Sequence, residues 1–302
     1  MSASPEAPPA CSPEGTQSPH GPSTTGPGDA AQRFERMERL VGAEGLRTLA
    51  ASHVLLIGLG GVGSFAAEAI ARAGVGTITL VDFDRVCVTN TNRQLQALQS
   101  QLGRPKAEVL AERLAQINPE AKLTALVASY SAESAESFFA REPDCIIDAI
   151  DNISAKCHLL AECRRRGVPV VSSLGAGGRT DIEQLRCADL ASAKMDPMGS
   201  AVRKILRQKH GLPRSGKLGI RCVYSLESPR EPAAVYLDEA APPGEAGVLA
   251  SAEGTSTSGR RKMVYGTAAW LTGSFGLACA GEAVKLLLSA APAATGTTGI
   301  TP

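Results

Sequence analysis

From residue 33 onward, the hydrophobic positions of the chain alternate between the patterns that strands and helices produce. Apolar runs that end at a glycine or a polar residue are typical of buried parallel strands, and apolar residues three or four positions apart are typical of helices. The first pattern, with one alternating segment at 123–127, predicts strands at residues 53–58, 76–82, 123–127, 145–148 and 168–172. The second predicts helices at residues 33–50, 64–73, 106–117 and 153–166. This alternation predicts an α/β protein with a doubly wound, Rossmann-like, mostly parallel sheet.

After residue 178 the pattern becomes less regular and predicts a mixed C-terminal extension. Its predicted elements are strands at 182–190 and 218–226 and a basic helix at 201–210. Residues 242–259 are rich in Gly, Ala, Ser and Thr without periodicity and predict a mobile loop. Residues 264–281 carry no charge and reach the length of a candidate membrane helix. Because they contain glycines and polar residues and charged residues follow at once, we expect a buried core helix or a dimer helix.

Composition separates the first thirty residues from the rest of the 302-residue chain. Residues 1–30 contain seven prolines and no Lys or Arg, which predicts a disordered tail. The tail carries three acidic and no basic residues, which gives it a charge of −3. Because the net charge of the whole chain is +1, the remaining residues carry about +4 and are mildly basic. We expect one domain at residues 31–290, with a nucleotide-binding core at 31–180, an extension at 181–290, and a disordered C-terminus at 291–302.

The tail and the cysteines both bear on the compartment. The tail lacks the arginine-rich pattern of a transit peptide and the basic and apolar pattern of a secretory signal, so we expect a cytoplasmic protein that does not bind a membrane. The eight cysteines form no C-x-x-C pair, and their spacing resembles neither a zinc ribbon nor the framework of a small secreted protein. Most of them are therefore expected to be buried thiols.

The first predicted strand leads into a glycine-rich turn of the G-x-G-x-x-G type, which is typical of nucleotide-binding sites. A helix follows the turn and would present unpaired N–H groups and the positive end of its dipole to a phosphate. Asp82 ends the second predicted strand, where a carboxylate can accept hydrogen bonds from the ribose hydroxyls. The glycines of the motif are Gly58, Gly60, Gly61 and Gly63.

Polar residues beyond the second strand argue against a nicotinamide dehydrogenase, which would be the default interpretation of the glycine motif. Arg and Lys beside a polyphosphate suit charge stabilisation in phosphoryl or nucleotidyl transfer. At the end of the fourth strand, Asp151 and Asn152 follow Asp148, and a carboxylate there can hold the Mg²⁺ that bridges the phosphates of ATP. The residues beyond the second strand are Asp84, Asn90, Arg93, Gln94 and, at a predicted helix start, Lys106.

The segment from residue 58 to residue 152 resembles the adenylation domain of the ThiF/MoeB superfamily, relatives of ubiquitin-activating enzymes. Members of this superfamily adenylate a carboxylate with ATP, so the resemblance implies ATP and Mg²⁺ as cofactors. It implies that residues 31–290 form an adenylation domain of this type. The site residues that it implies are Asp82 for the ribose, Asn90, Arg93 and Lys106 for the phosphates, and Asp151 for Mg²⁺.

Within this superfamily, further segments resemble the tRNA threonylcarbamoyladenosine dehydratases. The resemblance covers most of residues 32–288, but neither the tail nor the loop at 242–259. It implies a tRNA substrate whose adenosine next to the anticodon carries a threonylcarbamoyl group. ATP would adenylate the carboxylate of this group, and ring closure would expel AMP, with a net loss of water. The segments are residues 84–94, 106–108, 116–119, 148–151, 175–178 and 216–222.

The resemblance also implies partners. One is a second copy of the chain, in a homodimer where an N-terminal arginine, Arg33 or Arg39, reaches into the active site of the partner. A sulfur-relay protein is another, because thiols elsewhere in the superfamily carry sulfur, and Cys187 and Cys222 are the candidates for that role. We interpret both as buried structural thiols, since no His or paired cysteine lies nearby in the sequence.

Three alternatives to the dehydratase remain open. The first is an adenylating enzyme for a ubiquitin-like sulfur-carrier protein, although many such enzymes hold a zinc ion with two C-x-x-C pairs that this chain lacks. The others are an NAD-dependent dehydrogenase and a non-catalytic nucleotide-binding protein. For a tRNA substrate, three basic clusters are candidates for phosphate contacts, and each is as readily a solvated surface. These clusters are residues 164–166, 203–209 and 260–262.

Overall fold

A seven-stranded sheet organises the part of the chain that the computed structural model describes, residues 32–232 and 265–290. The strands are β1 (His53–Ile57), β2 (Thr77–Val81), β3 (Lys122–Leu126), β4 (Cys145–Asp148), β5 (Val170–Ser173), β6 (Leu185–Asp189) and β7 (Arg221–Ser225). In space they follow the order β3-β2-β1-β4-β5-β7-β6. All neighbouring pairs are parallel except β6 with β7. The prediction of a mostly parallel sheet with a mixed extension is confirmed.

Helices cover both faces of this sheet. Alternate residues of β1 divide between two hydrophobic cores, as a doubly wound sheet requires. Val54 and Leu56 pack with α2, α3 and α7, whereas Leu55 and Ile57 pack with α4, α5 and α6 on the opposite face. The helices are α1 (Glu35–Ala51), α2 (Gly63–Arg72), α3 (Lys106–Ile117), α4 (Ala135–Phe139), α5 (Ile153–Arg166), α6 (Pro197–Lys209) and α7 (Ala269–Ala290).

The uncharged C-terminal segment forms α7, a core helix. By length and composition α7 is apolar enough to cross a membrane, with a mean hydropathy of 1.3, but 56% of the tested window is buried inside the fold. Phe275 and Cys279 are fully buried. A Cβ atom at Gly276 would lie 2.3 Å from the carbonyl oxygen of Val62, so the helix approaches the start of α2 at backbone distance. Burial in the core is one of the two forms that the sequence predicts.

Several features differ from the predicted elements. Residues Ile182–Gln184, predicted as the start of a strand, form a 3₁₀ turn, and α7 continues past residue 281 to Ala290. α1 is kinked at Gly42, whose φ is +75°. α4 was not predicted, because five residues are too few to show a helical period. α6 begins before the predicted residue 201, because Asp196 caps it by accepting a 2.8 Å hydrogen bond from the amide of Gly199, and Pro197 starts it.

Internal contacts divide the chain after Arg33, so the sheet and the seven helices named above belong to the unit that begins at Phe34. The predictions of a tail at 1–30, a mobile loop at 242–259 and a disordered end at 291–302 lie outside the described residues. The same holds for the basic cluster at 260–262.

Candidate nucleotide-binding site

The glycine-rich turn joins β1 to α2 at the carboxyl edge of the sheet, beside the end of β4. Strand order reverses between β1 and β4, and such a switch point is where open α/β sheets bind ligands. A Cβ atom at Gly63 would lie 1.8 Å from the carbonyl oxygen of Gly58, and one at Gly58 would lie 2.6 Å from that of Ala149. The close backbone packing of the turn therefore requires glycine at both positions. Gly60 is open by comparison, since its nearest neighbour would be 3.9 Å away.

Asp82 follows β2 and contacts the glycine-rich turn. Its Oδ2 accepts a 2.7 Å hydrogen bond from the amide of Leu59, and its Oδ1 accepts one of 2.8 Å from the amide of Asp84. Burial raises the pKa of Asp82, while Lys106 and the two amides act in the opposite direction. The carboxylate thus fixes the turn to the end of β2, at the place that the sequence indicated for a ribose-binding acid.

Lys106 begins α3 and points its ammonium group toward the same edge. Nζ donates a 2.8 Å hydrogen bond to Oδ2 of Asp84, and the side chain of Lys106 is only 6% exposed. A cation at a helix N-terminus opposes the helix dipole, and burial adds a desolvation penalty. Asp84 offsets part of this penalty, and a buried, partly compensated ammonium is suited to an anionic ligand.

The segment after β2 lays Arg93 and Gln94 against the glycine-rich turn. The Cγ atom of Arg93 lies 3.1 Å from the position that a Cβ at Gly61 would take, and Nε2 of Gln94 lies 3.9 Å from that at Gly60. Asn90 is buried and accepts a hydrogen bond from the amide of Cys87, which shapes the short 3₁₀ turn before Arg93.

Gln96 belongs to the same segment and is not among the residues predicted from the sequence. It is buried, and its Nε2 donates a 2.7 Å hydrogen bond to the carbonyl oxygen of Leu59 in the turn. Its Oε1 is buried without a hydrogen-bond partner in the described part of the chain. Its place in the run of polar residues after Arg93 was the available signal.

The loop after β4 carries the remaining predicted residues. Asp151 is exposed, and Asn152 caps α5 by accepting a 3.0 Å hydrogen bond from the amide of Ala155. No group of three or more acidic, His or Cys residues in the described ranges could hold a metal by itself. Mg²⁺ nevertheless binds through one or two carboxylates together with substrate phosphates, so one exposed carboxylate beside a phosphate-binding turn fits this ion.

Beneath this loop lies a buried ion pair that was not predicted from the sequence. Nζ of Lys156 donates a 2.6 Å hydrogen bond to Oδ2 of Asp148, and both side chains are fully buried. The ammonium also contacts Oγ of Ser172 and the carbonyl oxygen of Ser173. The other oxygen of Asp148 accepts a 3.1 Å hydrogen bond from the amide of Ile150. The pair therefore fixes the backbone immediately before Asp151.

Three further predicted residues lie on elements that do not form the turn: Arg39 on α1, Cys187 on β6 and Cys222 on β7. Arg39 is exposed on α1, where its one polar contact within the described ranges is an ion pair with Glu35. Arg33 lies outside the unit that contains the sheet. Burial raises the pKa of the Cys222 thiol to about 12 and also raises that of Cys187, so both remain thiols at neutral pH.

The chain is similar to known proteins over nearly all of its described part. Residues 34–299 match the model of the ThiF family. The chain is 39% identical to the tRNA threonylcarbamoyladenosine dehydratase of Escherichia coli over 86% of its length and 95% of the relative's. It is 47% identical to that of Bacillus subtilis over 65% of its length and 76% of the relative's. The crystal structure of the Escherichia coli dehydratase in complex with ATP matches with a TM-score of 0.74 and 37% identity, covering 86% of this chain and 95% of that one. Adenylyltransferases for sulfur carriers and molybdopterin synthase match less than half of the chain.

Proposed function

The chain belongs to the ThiF family, and from this premise we propose that it is an ATP-dependent tRNA threonylcarbamoyladenosine dehydratase. The observation that carries the proposal is the extent of the similarity, which spans 95% of the Escherichia coli dehydratase. It includes the extension beyond the nucleotide-binding core, whereas the similarity to sulfur-carrier adenylyltransferases covers less than half of the chain. The chain also lacks the two C-x-x-C pairs with which many sulfur-carrier-activating enzymes hold a structural zinc ion.

ATP binds at the carboxyl edge of the sheet. The amides of the glycine-rich turn and the N-terminus of α2 hold its phosphates, and Asp82 accepts hydrogen bonds from the ribose. Lys106 and Arg93 supply positive charge on the side of the turn that faces the segment after β2. When bound, Mg²⁺ would be held by Asp151 and would neutralise charge on the phosphates.

The reaction begins with the carboxylate of the threonylcarbamoyl group. One of its oxygens attacks the α-phosphorus of ATP, the bond to the β-phosphate oxygen breaks, and pyrophosphate leaves. A carboxylate is a poor electrophile, and adenylation converts its oxygen into a competent leaving group. Arg93 and Lys106 stabilise the negative charge that develops on the phosphates, while the rigid turn fixes the geometry.

Ring closure completes the dehydration. A nitrogen or the oxygen of the carbamoyl group attacks the activated carbonyl carbon, an N–H proton of the carbamoyl group is lost, and AMP leaves with the former carboxylate oxygen. The tRNA thereby loses one water, and one ATP becomes AMP and pyrophosphate.

The enzyme acts on tRNA in the cytoplasm and needs no membrane.

The proposed assembly is a homodimer. Leu40 on α1 is 79% exposed and Leu277 on α7 is 55% exposed, and α1 and α7 pack together through Gly45 and Leu288. Exposed leucines on adjacent helices suit an interface between copies of the chain. Arg39, next to Leu40, would then enter the site of the partner. The raised pKa values of Cys187 and Cys222 give a sulfur-relay partner no support.

The test supplies ATP, Mg²⁺ and tRNA that carries the open threonylcarbamoyladenosine, and it measures pyrophosphate release and nucleoside mass. We expect pyrophosphate release and the loss of one water from the modified nucleoside. Parallel reactions contain unmodified tRNA or a carrier protein that ends in Gly-Gly. Release only with the carrier protein would assign the chain to the sulfur-carrier branch. Tight binding of NAD in calorimetry, without ATP binding, would refute adenylation altogether.

A further inference from the structure

The two basic clusters that lie within the described residues differ in how their charges are compensated. Arg165 and Arg166 both form ion pairs with Glu162, and Arg166 also pairs with Glu136. Nε of Arg164 donates a 2.9 Å hydrogen bond to the carbonyl oxygen of Leu218. Two carboxylates therefore offset two of the three charges in the cluster at 164–166, and Arg164 keeps its charge but is tied to the backbone near the C-terminal end of α5.

The cluster on α6 has no acidic partner among the described residues. α6 contains no acidic residue, and within the described ranges Lys204, Arg207 and Arg214 form no ion pair. Its basic and polar residues recur three or four positions apart and so share one face of the helix. This face and the turn that follows α6 enclose an open cleft of about 490 Å³. The lining residues are Ser200, Arg203, Lys204, Arg207, Gln208 and Arg214.

Two of these arginines are held in place without losing their charge. Nη1 of Arg203 donates hydrogen bonds to the carbonyl oxygens of Leu190 and Ala193, at 3.2 and 2.7 Å. Nε of Arg207 donates to the carbonyl oxygen of Pro213 at 3.3 Å. Carbonyl oxygens orient a guanidinium but leave its net charge, so the cleft presents an oriented positive surface.

α6 is also joined to the edge of the sheet that carries the nucleotide site. Asp196 at its N-cap forms a buried ion pair with Arg179 at 3.2 Å. Arg179 in turn donates a hydrogen bond to the carbonyl oxygen of Gly175, which follows the end of β5. Because β5 lies next to β4 in the sheet, these contacts tie the N-terminus of α6 to the edge at which β4 ends before Asp151.

We propose that the α6 cleft binds backbone phosphates of the tRNA outside the reacting nucleotide. This proposal rests on the proposed function for the identity of the RNA. A row of guanidinium and ammonium groups without carboxylates is complementary to consecutive phosphates, and the planar fork of arginine binds phosphate oxygens in pairs. The few positive charges of the cleft are enough for this role, because the reacting nucleotide is bound separately at the carboxyl edge of the sheet.

The test compares the wild type with the double variant Lys204→Gln/Arg214→Gln. Both residues are exposed and their side chains make no hydrogen bond in the described part of the chain, so the variant keeps its fold. The matched control is Lys122→Gln/Arg141→Gln, which removes two exposed cations at the amino ends of β3 and β4, the opposite edge of the sheet. Dissociation constants for tRNA with the open threonylcarbamoyladenosine are measured at several salt concentrations, and ATP affinity is measured by calorimetry.

We expect the α6 variant to bind tRNA about tenfold more weakly and its log–log salt slope to fall by about 1 to 2. ATP affinity and kcat at saturating tRNA stay at wild-type values while KM for tRNA rises, and the control matches the wild type. An unchanged affinity and slope in the α6 variant would overturn the proposal. A second assay measures binding to anionic phosphatidylglycerol vesicles. If the α6 variant lost vesicle binding while its tRNA affinity stayed at the wild-type value, the cleft would serve a lipid surface and the proposal would be overturned. If wild-type protein binds tRNA through the cleft but releases no pyrophosphate, the proposed function fails while the cleft assignment stands.

Discussion

Removal of the ammonium group from the buried pair beneath the loop of Asp151 should destabilise the whole fold. In Lys156→Met, the carboxylate of Asp148 would remain fully buried and keep only hydrogen bonds from Ser172 and the amide of Ile150. Breaking one partner of a buried pair costs about 3–5 kcal/mol. Since domains are stable by about 5–15 kcal/mol, the variant would lose a large part of its free energy of unfolding.

The double variant Asp148→Asn/Lys156→Met separates lost charge pairing from lost volume. It removes both charges, retains an acceptor for the amide of Ile150, and keeps an unbranched side chain in the space of the lysine. Replacing a whole buried pair is often neutral, so most of the lost stability should return. The assay is urea unfolding of the wild type, both single variants and the double variant, with Lys122→Met as the exposed-lysine control. A cost below about 1 kcal/mol for Lys156→Met, or a double variant no more stable than the single one, would refute the reasoning.

Three further predictions concern the glycine-rich turn, the acid proposed to hold Mg²⁺ and the pH dependence of stability. Gly63→Ala should distort the turn and abolish ATP binding in calorimetry, because its Cβ would lie 1.8 Å from a backbone oxygen. Gly60→Ala is the control and should keep the wild-type fold, since its Cβ would meet nothing closer than 3.9 Å. Equal free energies of unfolding for the two variants would contradict this prediction. Asp151→Ala should abolish pyrophosphate release while circular dichroism stays unchanged, and a wild-type rate would show that the assignment is wrong. A hydrogen bond from Arg165 lowers the pKa of Glu162 to about 2 from 4.5, so its contribution is present above pH 4.5 and is lost as the pH falls toward 2. Urea unfolding should therefore show a deficit of about 0.2–1 kcal/mol in Glu162→Gln at pH 6 that shrinks by pH 3, and a pH-independent deficit would argue against it.

The predictability of the fold depended on local signals. α3, β4 and α5 have the predicted bounds, because Asn118-Pro119 stops α3 and Gly167 stops α5. The antiparallel direction of β6 had no such signal, since strand direction depends on contacts distant in sequence. The prediction also ended α7 too early because charge was used as the limit. Glu282 is in fact buried within the helix and forms ion pairs with Arg221 and Lys285.

The site divides in the same way. Gly58, Gly63 and Asp82 were predictable because a turn and a strand end place them locally. The pairing of Lys156 with Asp148 joins α5 to β4, and the only local signal was a lysine four positions before Leu160 on the apolar face of α5. Asn152 was predicted to bind the nucleotide, but an asparagine side chain can also cap a helix. In the structure its Oδ1 caps α5 by accepting a hydrogen bond from the amide of Ala155.

The position of α7 has a consequence for the order in which the protein is made. Thr272 on α7 lies 3.0 Å from the position that a Cβ at Gly61 would take, so this helix packs against the glycine-rich turn itself. α7 is nevertheless synthesised more than 200 residues after that turn. A nascent chain on the ribosome therefore lacks this wall of its nucleotide pocket until α7 has been made, long after the glycine-rich turn.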